Sequence, residues 1–502
     1  MHYLNLTASI STGLSEAPHL AWAIPFVVLL ASIAIVPLVN RHLWEHHYPK
    51  ITSALALIPT IYYLFIRRDP GPWLGAMEEY IGFIILLASL FVISGGIVLR
   101  VNRKATPMAN VVLLLIGAIL ANVFGTTGAS MLLIRPYIHM NRGHMRPYHI
   151  ILFIFIVANC GGLLTPIGDP PLFLGYLQGI PFRWTLDNLW PIWLLANGLL
   201  LGLFYLLDLR SHRASPRAAA DDDGPQVHVL GIHNFVFVAV VLFGVFRPSV
   251  FEIFGAMHAM SVSAARIGGV LLSREVVMVA ALLASRWFTP KRVYEHNHFS
   301  YQPICEVAIV FVAIFSTMTP ALGWLEANAR RMSITTPGAY YFTTGSLSAT
   351  LDNAPTYLTF LKMRLSSLDD QHVSQAVDII ADMHRRQSVV MPNATIPADV
   401  QRAVAELVAD HGTSVLDGTL TPEQVRVGFL VGVPRLSGFL VAISAGAVLF
   451  GAATYIGNGP NFMVRSIAEA AGVNTPDFAR YIFCYSLPIL VPLYVIVWWV
   501  FL

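Results

Sequence analysis

The chain repeatedly offers stretches of about 16 to 25 mostly apolar residues, long enough for a helix to cross the hydrocarbon core of a bilayer. They fall near 20–39, 51–66, 81–99, 148–178, 188–207, 233–246, 267–288, 304–323, 436–462 and 478–502, which makes about ten candidate crossings. Composition supports the same reading: of 502 residues 56% are hydrophobic and only 12% charged. A soluble surface draws on roughly a quarter charged residues, whereas a surface facing lipid needs none. The chain is therefore expected to be an all-α polytopic membrane protein, a multi-pass protein whose first partner is the lipid bilayer. No Lys or Arg precedes Arg41, so the basic start of a cleaved signal peptide is missing and the first stretch is expected to be a retained span. With 31 Lys+Arg against 28 Asp+Glu, the charge is too balanced for a nucleic-acid partner. Cys160, Cys305 and Cys484 lie far apart without metal-ligand spacing and are expected to be packing residues.

Two more apolar stretches, 108–139 and 338–363, are interrupted midway by small and polar residues, Gly125 to Ser130 and Thr343 to Thr350. Backbone that leaves the helix at membrane depth is tolerated only when buried in protein or lining a cavity, so both are expected to be re-entrant hairpins. Arg100, Arg103 and Lys104 precede the first hairpin and Arg142 and Arg146 follow it, which places both of its ends in the cytoplasm. Counting outward, cytoplasmic loops hold about 15 Lys/Arg, including Arg41, Lys50, Arg210, Arg213, Arg217, Lys291 and Arg292. The external loops hold about seven: Arg67, Arg68, Arg183, Arg247, Arg266, Arg330 and Arg331. Four regions result. Residues 1–79 are N-terminal transmembrane helices, 80–207 a first transporter unit with a broken helix at 148–178, and 208–303 a linker with two connecting helices. Residues 304–502 form a second unit with a charged extramembrane insertion at 364–435 and a broken helix at 436–470. The polar linker centres on 218–225, and Thr421-Pro422-Glu423-Gln424 reads as a helix start with a capping box.

The most specific signal is internal. Gly162-Leu-Leu-Thr165-Pro-Ile167-Gly168-Asp169-Pro170-Pro171-Leu172-Phe173 recurs as Gly451-Ala-Ala-Thr454-Tyr-Ile456-Gly457-Asn458-Gly459-Pro460-Asn461-Phe462, with six identities in twelve positions. Each copy follows an interrupted hairpin, and an odd number of crossings between them inverts the second copy. Proline lacks an N–H and bars the helical conformation of the residue before it, so both segments must break their helices. Asp169 and Asn458 are placed to cap the half-helices that restart there, and Asp352-Asn353-Ala354-Pro355 repeats this chemistry in the second hairpin. Broken helices at the midplane expose carbonyls at one end and N–H groups at the other, which can hold ions without a dedicated charged pocket.

Paired hairpins with small polar tips, each followed by a broken helix of the form Thr-x-Ile-Gly-Asp/Asn-x-Pro, resemble the ion transporter superfamily. That group includes NhaD-type sodium/proton antiporters, citrate and dicarboxylate transporters and arsenite permeases. The likeness covers about residues 80–207 and 304–502. It implies inverted repeats, a homodimer and elevator-like movement of the hairpin domain. Carried over, the substrate and ion site comprises Thr127 and Ser130 at the first tip and Thr165, Gly168 and Asp169 at the first break. In the second unit it comprises Ser348, Thr350, Asp352 and Asn353 at the tip and Thr454, Gly457 and Asn458 at the break. These same residues would hold Na⁺; no cofactor and no structural metal are expected beyond a coupling Na⁺ or H⁺.

The tips lack the neutral Ser-Asn-Thr pattern of dicarboxylate carriers, and two carboxylates at one site favour a cation and repel a citrate trianion. Sodium/proton antiport at the inner membrane is therefore the leading expectation, with gradient-coupled citrate or dicarboxylate transport, or arsenite permeation, as alternatives. Against this stand blander readings: Asp169 and Asp352 as helix caps alone, and the Ser and Thr residues as interhelical hydrogen-bond formers. Arg274-Glu275 could be a buried ion pair or mark a later helix start, Arg135 could attract an anion or reach the interface, and His42, His46 and His47 read as part of a solvated loop. No Gly-x-Ser-x-Gly or Walker motif appears, so neither an enzyme nor an ATP-driven pump is expected.

Overall fold

The computed structural model describes residues 18–102, 106–214, 226–246, 273–297, 299–328, 334–391 and 396–502. The linker at 218–225, the start of the 267–288 stretch and Arg103, Lys104, Arg217, Arg247, Arg266, Arg330 and Arg331 lie outside them. Among the described residues eight helices are long and apolar enough to cross a membrane, joined by shorter apolar helices at Leu20–Ile33 and Asn234–Val245. The chain is an all-α polytopic membrane protein.

Helices α1 (Ile24–Val39), α2 (Arg41–Ile61) and α3 (Gly71–Gly95) come first. The segment expected as a basic loop is instead the first half of α2. Asn40 caps it by accepting from the Leu43 N–H at 2.9 Å, and His46 and His47 stand exposed on its surface. A short ribbon absent from the sequence reading follows. Strand β1 (Val98–Asn102) pairs antiparallel with β2 (Gln226–Leu230), Val98 opposite Leu230, and so ties the entry of the first hairpin to the middle of the chain.

The first hairpin is α4 (Pro107–Met140), which reverses at Gly125 with φ 72° and ψ 159°. A side chain is strained at such a φ, so one glycine suffices to turn the chain. The reversal is proved at the other end. Asn110 and Asn141 exchange amide hydrogen bonds of 2.9 and 2.8 Å, although a straight helix would hold them about 46 Å apart. Asp208, further along the chain, closes this base, accepting from the Asn110 amide at 3.0 Å and the Tyr148 hydroxyl at 2.9 Å. His149 takes the Arg146 N–H on Nδ1, which puts its proton on Nε2, 3.2 Å from Asp208.

The first broken helix follows: α5 (Pro147–Ile156), a 3₁₀ turn at Cys160–Leu164 and α6 (Pro170–Leu177). Then come α7 (Phe182–Ala214), α8 (Asn234–Val245), α9 (Arg274–Phe288), α10 (Lys291–His296) and α11 (Gln302–Asn328). Arg274 and Glu275 satisfy both readings offered for them. They open α9, and they pair at 2.9 Å while buried against Gly82 of α3. Arg135 donates to Asn297 at 3.0 Å and so holds α4 to the loop after α10, where the sequence suggested an anion or the interface.

The second hairpin is α12 (Pro337–Thr350) and α13 (Asn353–Ser366), turning at Leu351 and Asp352. The polar run Thr343–Thr350, expected as the interruption, stays helical. Two of its hydroxyls fold back onto the preceding turn, Thr343 onto the Ala339 carbonyl at 2.7 Å and Thr350 onto that of Ser346 at 3.3 Å, which adds to the backbone ladder without replacing it.

Residues beyond this hairpin form α14 (Asp370–Arg386), α15 (Ala398–Asp417) and α16 (Pro422–Gly432). The last starts at Thr421 with the reciprocal Thr421–Gln424 capping bonds. Their apolar faces meet through Val373, Val377, Val400, Leu407 and Val425, and a narrow cleft separates Glu406, Asp410 and His411 from Gly179 and Pro181 of the first unit. Partial burial, and then the charge of Asp410, pushes the Glu406 carboxyl up. Burial pushes Asp410 up too, against the opposing pull of His411. A carboxyl raised on folding contributes stability that is complete below its unfolded value and fades as pH rises through the folded one. Limited proteolysis of this insertion is therefore expected to be slower at about pH 5 than at about pH 8, with the difference reduced in Glu406→Gln.

The second broken helix, α17 (Pro434–Phe450), a 3₁₀ turn at Gly451–Ala453 and α18 (Gly459–Ala470), precedes the last span at Phe478–Phe501.

Candidate functional site

Both breaks are built alike, as their shared sequence requires. Thr165 donates its hydroxyl to the Asn122 carbonyl of the first hairpin at 2.7 Å and accepts from the Gly168 N–H at 3.1 Å. Thr454 donates to the Ala349 carbonyl of the second hairpin at 2.7 Å and accepts from the Gly457 N–H at 3.0 Å. Each threonine thus staples its break to a hairpin tip. The following glycine is needed for space: a Cβ on Gly168 would sit 2.1 Å from the Gly162 carbonyl oxygen, and one on Gly457 2.7 Å from that of Gly451. The Gly168 carbonyl in turn accepts the Thr126 N–H at 2.8 Å.

The four elements meet at Asp169, which is fully buried. Its Oδ1 accepts from the Thr126 hydroxyl at 2.9 Å and from the Asn458 amide at 3.0 Å; its Oδ2 accepts from the Asn353 amide at 2.6 Å. First tip, first break, second tip and second break each supply one side chain. All three donors are neutral, and among the described residues no Lys, Arg or His pairs with this carboxylate. Asn353 keeps its Oδ1 buried beside Asp169 without a hydrogen-bond partner, and Ser130 Oγ is likewise buried and unpartnered.

Capping does not explain Asp169. Neither it nor Asn458 caps the helix it precedes. Pro170 and Pro171 remove the N–H groups that a cap would accept, and the Leu172 N–H bonds the Asp169 backbone carbonyl at 3.1 Å instead, which frees the side chain for the centre. Asp352 is the cap, accepting from the Ala354 N–H at 3.1 Å at the start of α13. Among the remaining sequence candidates, Ser348 donates to the Ala447 carbonyl at 2.6 Å and fixes the second tip to α17. Thr350 is exposed, with its hydroxyl on the Ser346 and Leu347 carbonyls of its own helix at 3.3 and 3.1 Å. Thr127 lies one residue off. The hydroxyl at Asp169 belongs to Thr126, because the helix restarts there, while Thr127 lines a small cavity against Leu87, Leu90 and Phe91 of α3.

Three asparagines escaped the sequence reading. Asn122 donates to the Ala118 and Gly161 carbonyls at 2.9 and 2.7 Å and accepts the Leu164 N–H at 3.0 Å. Asn159 and Asn461, both buried, join the two breaks at 2.7 Å. Only Asn461 carried a signal, since it stands where the first copy of the repeat has the apolar Leu172.

A family model described as "Putative citrate transport" matches residues 15–502. The chain belongs to that family. A search of curated proteins finds no match. Membership across nearly the whole length, together with the apolar helices, makes the chain a multi-pass membrane protein of a transporter family.

Proposed function

We propose that this protein is a secondary transporter of the inner membrane that carries citrate, coupled to a proton or cation held at Asp169. The supporting observation is the convergence of four duplicated elements on one buried carboxylate whose hydrogen-bond partners are all neutral. A carboxylate at membrane depth costs roughly 3 kcal/mol unless it is protonated or neutralised by a cation. Without such an ion it would also repel an arriving tricarboxylate, so ion and anion bind more favourably together than either does alone. Thr126, Asn353 and Asn458 orient the carboxylate, and the unpartnered Asn353 oxygen beside it supplies a further ligand for a small cation. The family description favours citrate over other anions.

A second reading, exchange of Na⁺ or Li⁺ for protons without an anion, is favoured by the absence of any basic side chain on Asp169 among the described residues. Proteoliposomes separate the two. Labelled citrate uptake driven by an imposed pH or Na⁺ gradient is the expected result. Dissipation of the pH gradient by Na⁺ or Li⁺ alone, with no citrate uptake, would leave the antiporter. Neither response would remove both.

A further inference from the structure

We infer that Asn159 and Asn461 form a buried rivet that fixes the two inverted half-sites to each other and sets Asn458 on Asp169, making them positioning residues for the site.

Every polar group of the pair is used. Asn159 donates one N–H to the Ile154 carbonyl at 2.8 Å, where α5 ends, and the other to Asn461 Oδ1 at 2.7 Å; its own Oδ1 accepts from the Asn458 amide at 3.2 Å. Asn461 donates to the Gly451 carbonyl at 2.8 Å and the Thr454 carbonyl at 2.9 Å, which spans the whole second break. The two N–H groups of the Asn458 amide are shared among three acceptors, Asp169 Oδ1 at 3.0 Å and, at 3.2 Å each, Asn159 Oδ1 and the Ala158 carbonyl, so Asn159 helps to set the amide that reaches Asp169. A chain of side chains therefore runs from the second break into the first and back to the charged centre, through groups that are all buried. With both donors and the acceptor of each amide engaged, neither side chain can turn over without orphaning several buried groups. The asymmetry of the repeat points the same way. Position 172 of the first copy is Leu, and its second-copy counterpart is the one that crosses between halves. Asn461 thus does not maintain its own helix, since α18 begins two residues earlier and needs no side-chain cap.

The test has two arms. In hydrogen–deuterium exchange on the purified protein, Asn461→Leu should speed exchange about tenfold in residues 451–458 and equally in 157–169 across the interface, while Asn159→Leu should give the reciprocal pattern. Asn461→Thr keeps one donor and should show a smaller rise in the same two segments; it carries the test should the leucine variant fail to fold. An increase confined to the mutated half overturns the rivet. This arm needs no ligand, so it stands whatever becomes of the citrate reading. The second arm rests on that reading: in gradient-driven uptake of citrate, Asn461→Leu should weaken apparent ion affinity about tenfold with maximal rate little changed, and should add nothing in an Asn458→Ala background. Additive losses there would mean that Asn461 acts other than through Asn458, and would overturn the positioning role.

Discussion

Asp169→Asn is expected to cut gradient-driven uptake by roughly a factor of 10 to 100 while leaving the protein folded. The amide cannot exchange a proton and carries no charge to hold a cation, so the driving ion loses its seat. The fold should survive because the neighbours can adapt. Thr126 can rotate its hydroxyl, and Asn353 can turn its unpartnered Oδ1 toward the new N–H. The Asn458 amide, whose two N–H groups are shared among Asn159 Oδ1, the Ala158 carbonyl and residue 169, can still donate to the carbonyl oxygen that remains there. Removal of a buried charge also removes its desolvation cost, so thermal stability without ligand should be unchanged or higher. The two measurements, flux in liposomes and thermal unfolding in detergent, separate loss of coupling from loss of structure. Undiminished gradient-dependent uptake in this variant would sink Asp169 as the coupling site. Asp352→Asn should be far milder, because Asp352 caps α13 and asparagine caps nearly as well.

Gly168→Ala should be severely damaging for a single added methyl. The added carbon would lie 2.1 Å from the Gly162 carbonyl oxygen and 3.0 Å from Asn122 Oδ1, and the first of these is backbone that cannot move aside by a rotamer change. Relief requires opening the break. That would pull the Gly168 carbonyl off the Thr126 N–H and Thr165 off its tip. A cost of about 3 kcal/mol or more follows from forced overpacking of this kind, with loss of uptake even in protein that still folds. Gly202→Ala in the middle of α7 is the matched control. Nothing lies within 4 Å of the new carbon, and helix propensity favours alanine by about 1 kcal/mol. Equal thermal shifts in the two variants would show that the closeness of the break at Gly168 carries no energetic weight.

The sequence by itself determined the class and the frame. Its apolar stretches left only a bundle of membrane helices, because a backbone in lipid must satisfy its own hydrogen bonds. Gly-Asp-Pro-Pro and its copy forced two breaks, because proline withholds the N–H and the preceding dihedrals that a helix needs. The duplication located the second break from the first, and the resemblance drawn from those motifs agrees with the family to which the chain belongs. Tertiary structure decided which of the polar residues meet. Asp169 and Asp352 look alike in sequence, one directly before Pro170 and the other three residues before Pro355. Yet two consecutive prolines turn the first side chain away from its own helix and into the centre, while the second finds an Ala354 N–H to cap. Thr126 rather than Thr127 reaches Asp169, because a single glycine with positive φ sets the phase of the restarted helix. The hydroxyls of Thr343 and Thr350 turned back onto their own helix, which no pattern of residues announces. Asn159 meets Asn461 across about 300 residues of chain, and only the packing of one break on the other brings them within a hydrogen bond.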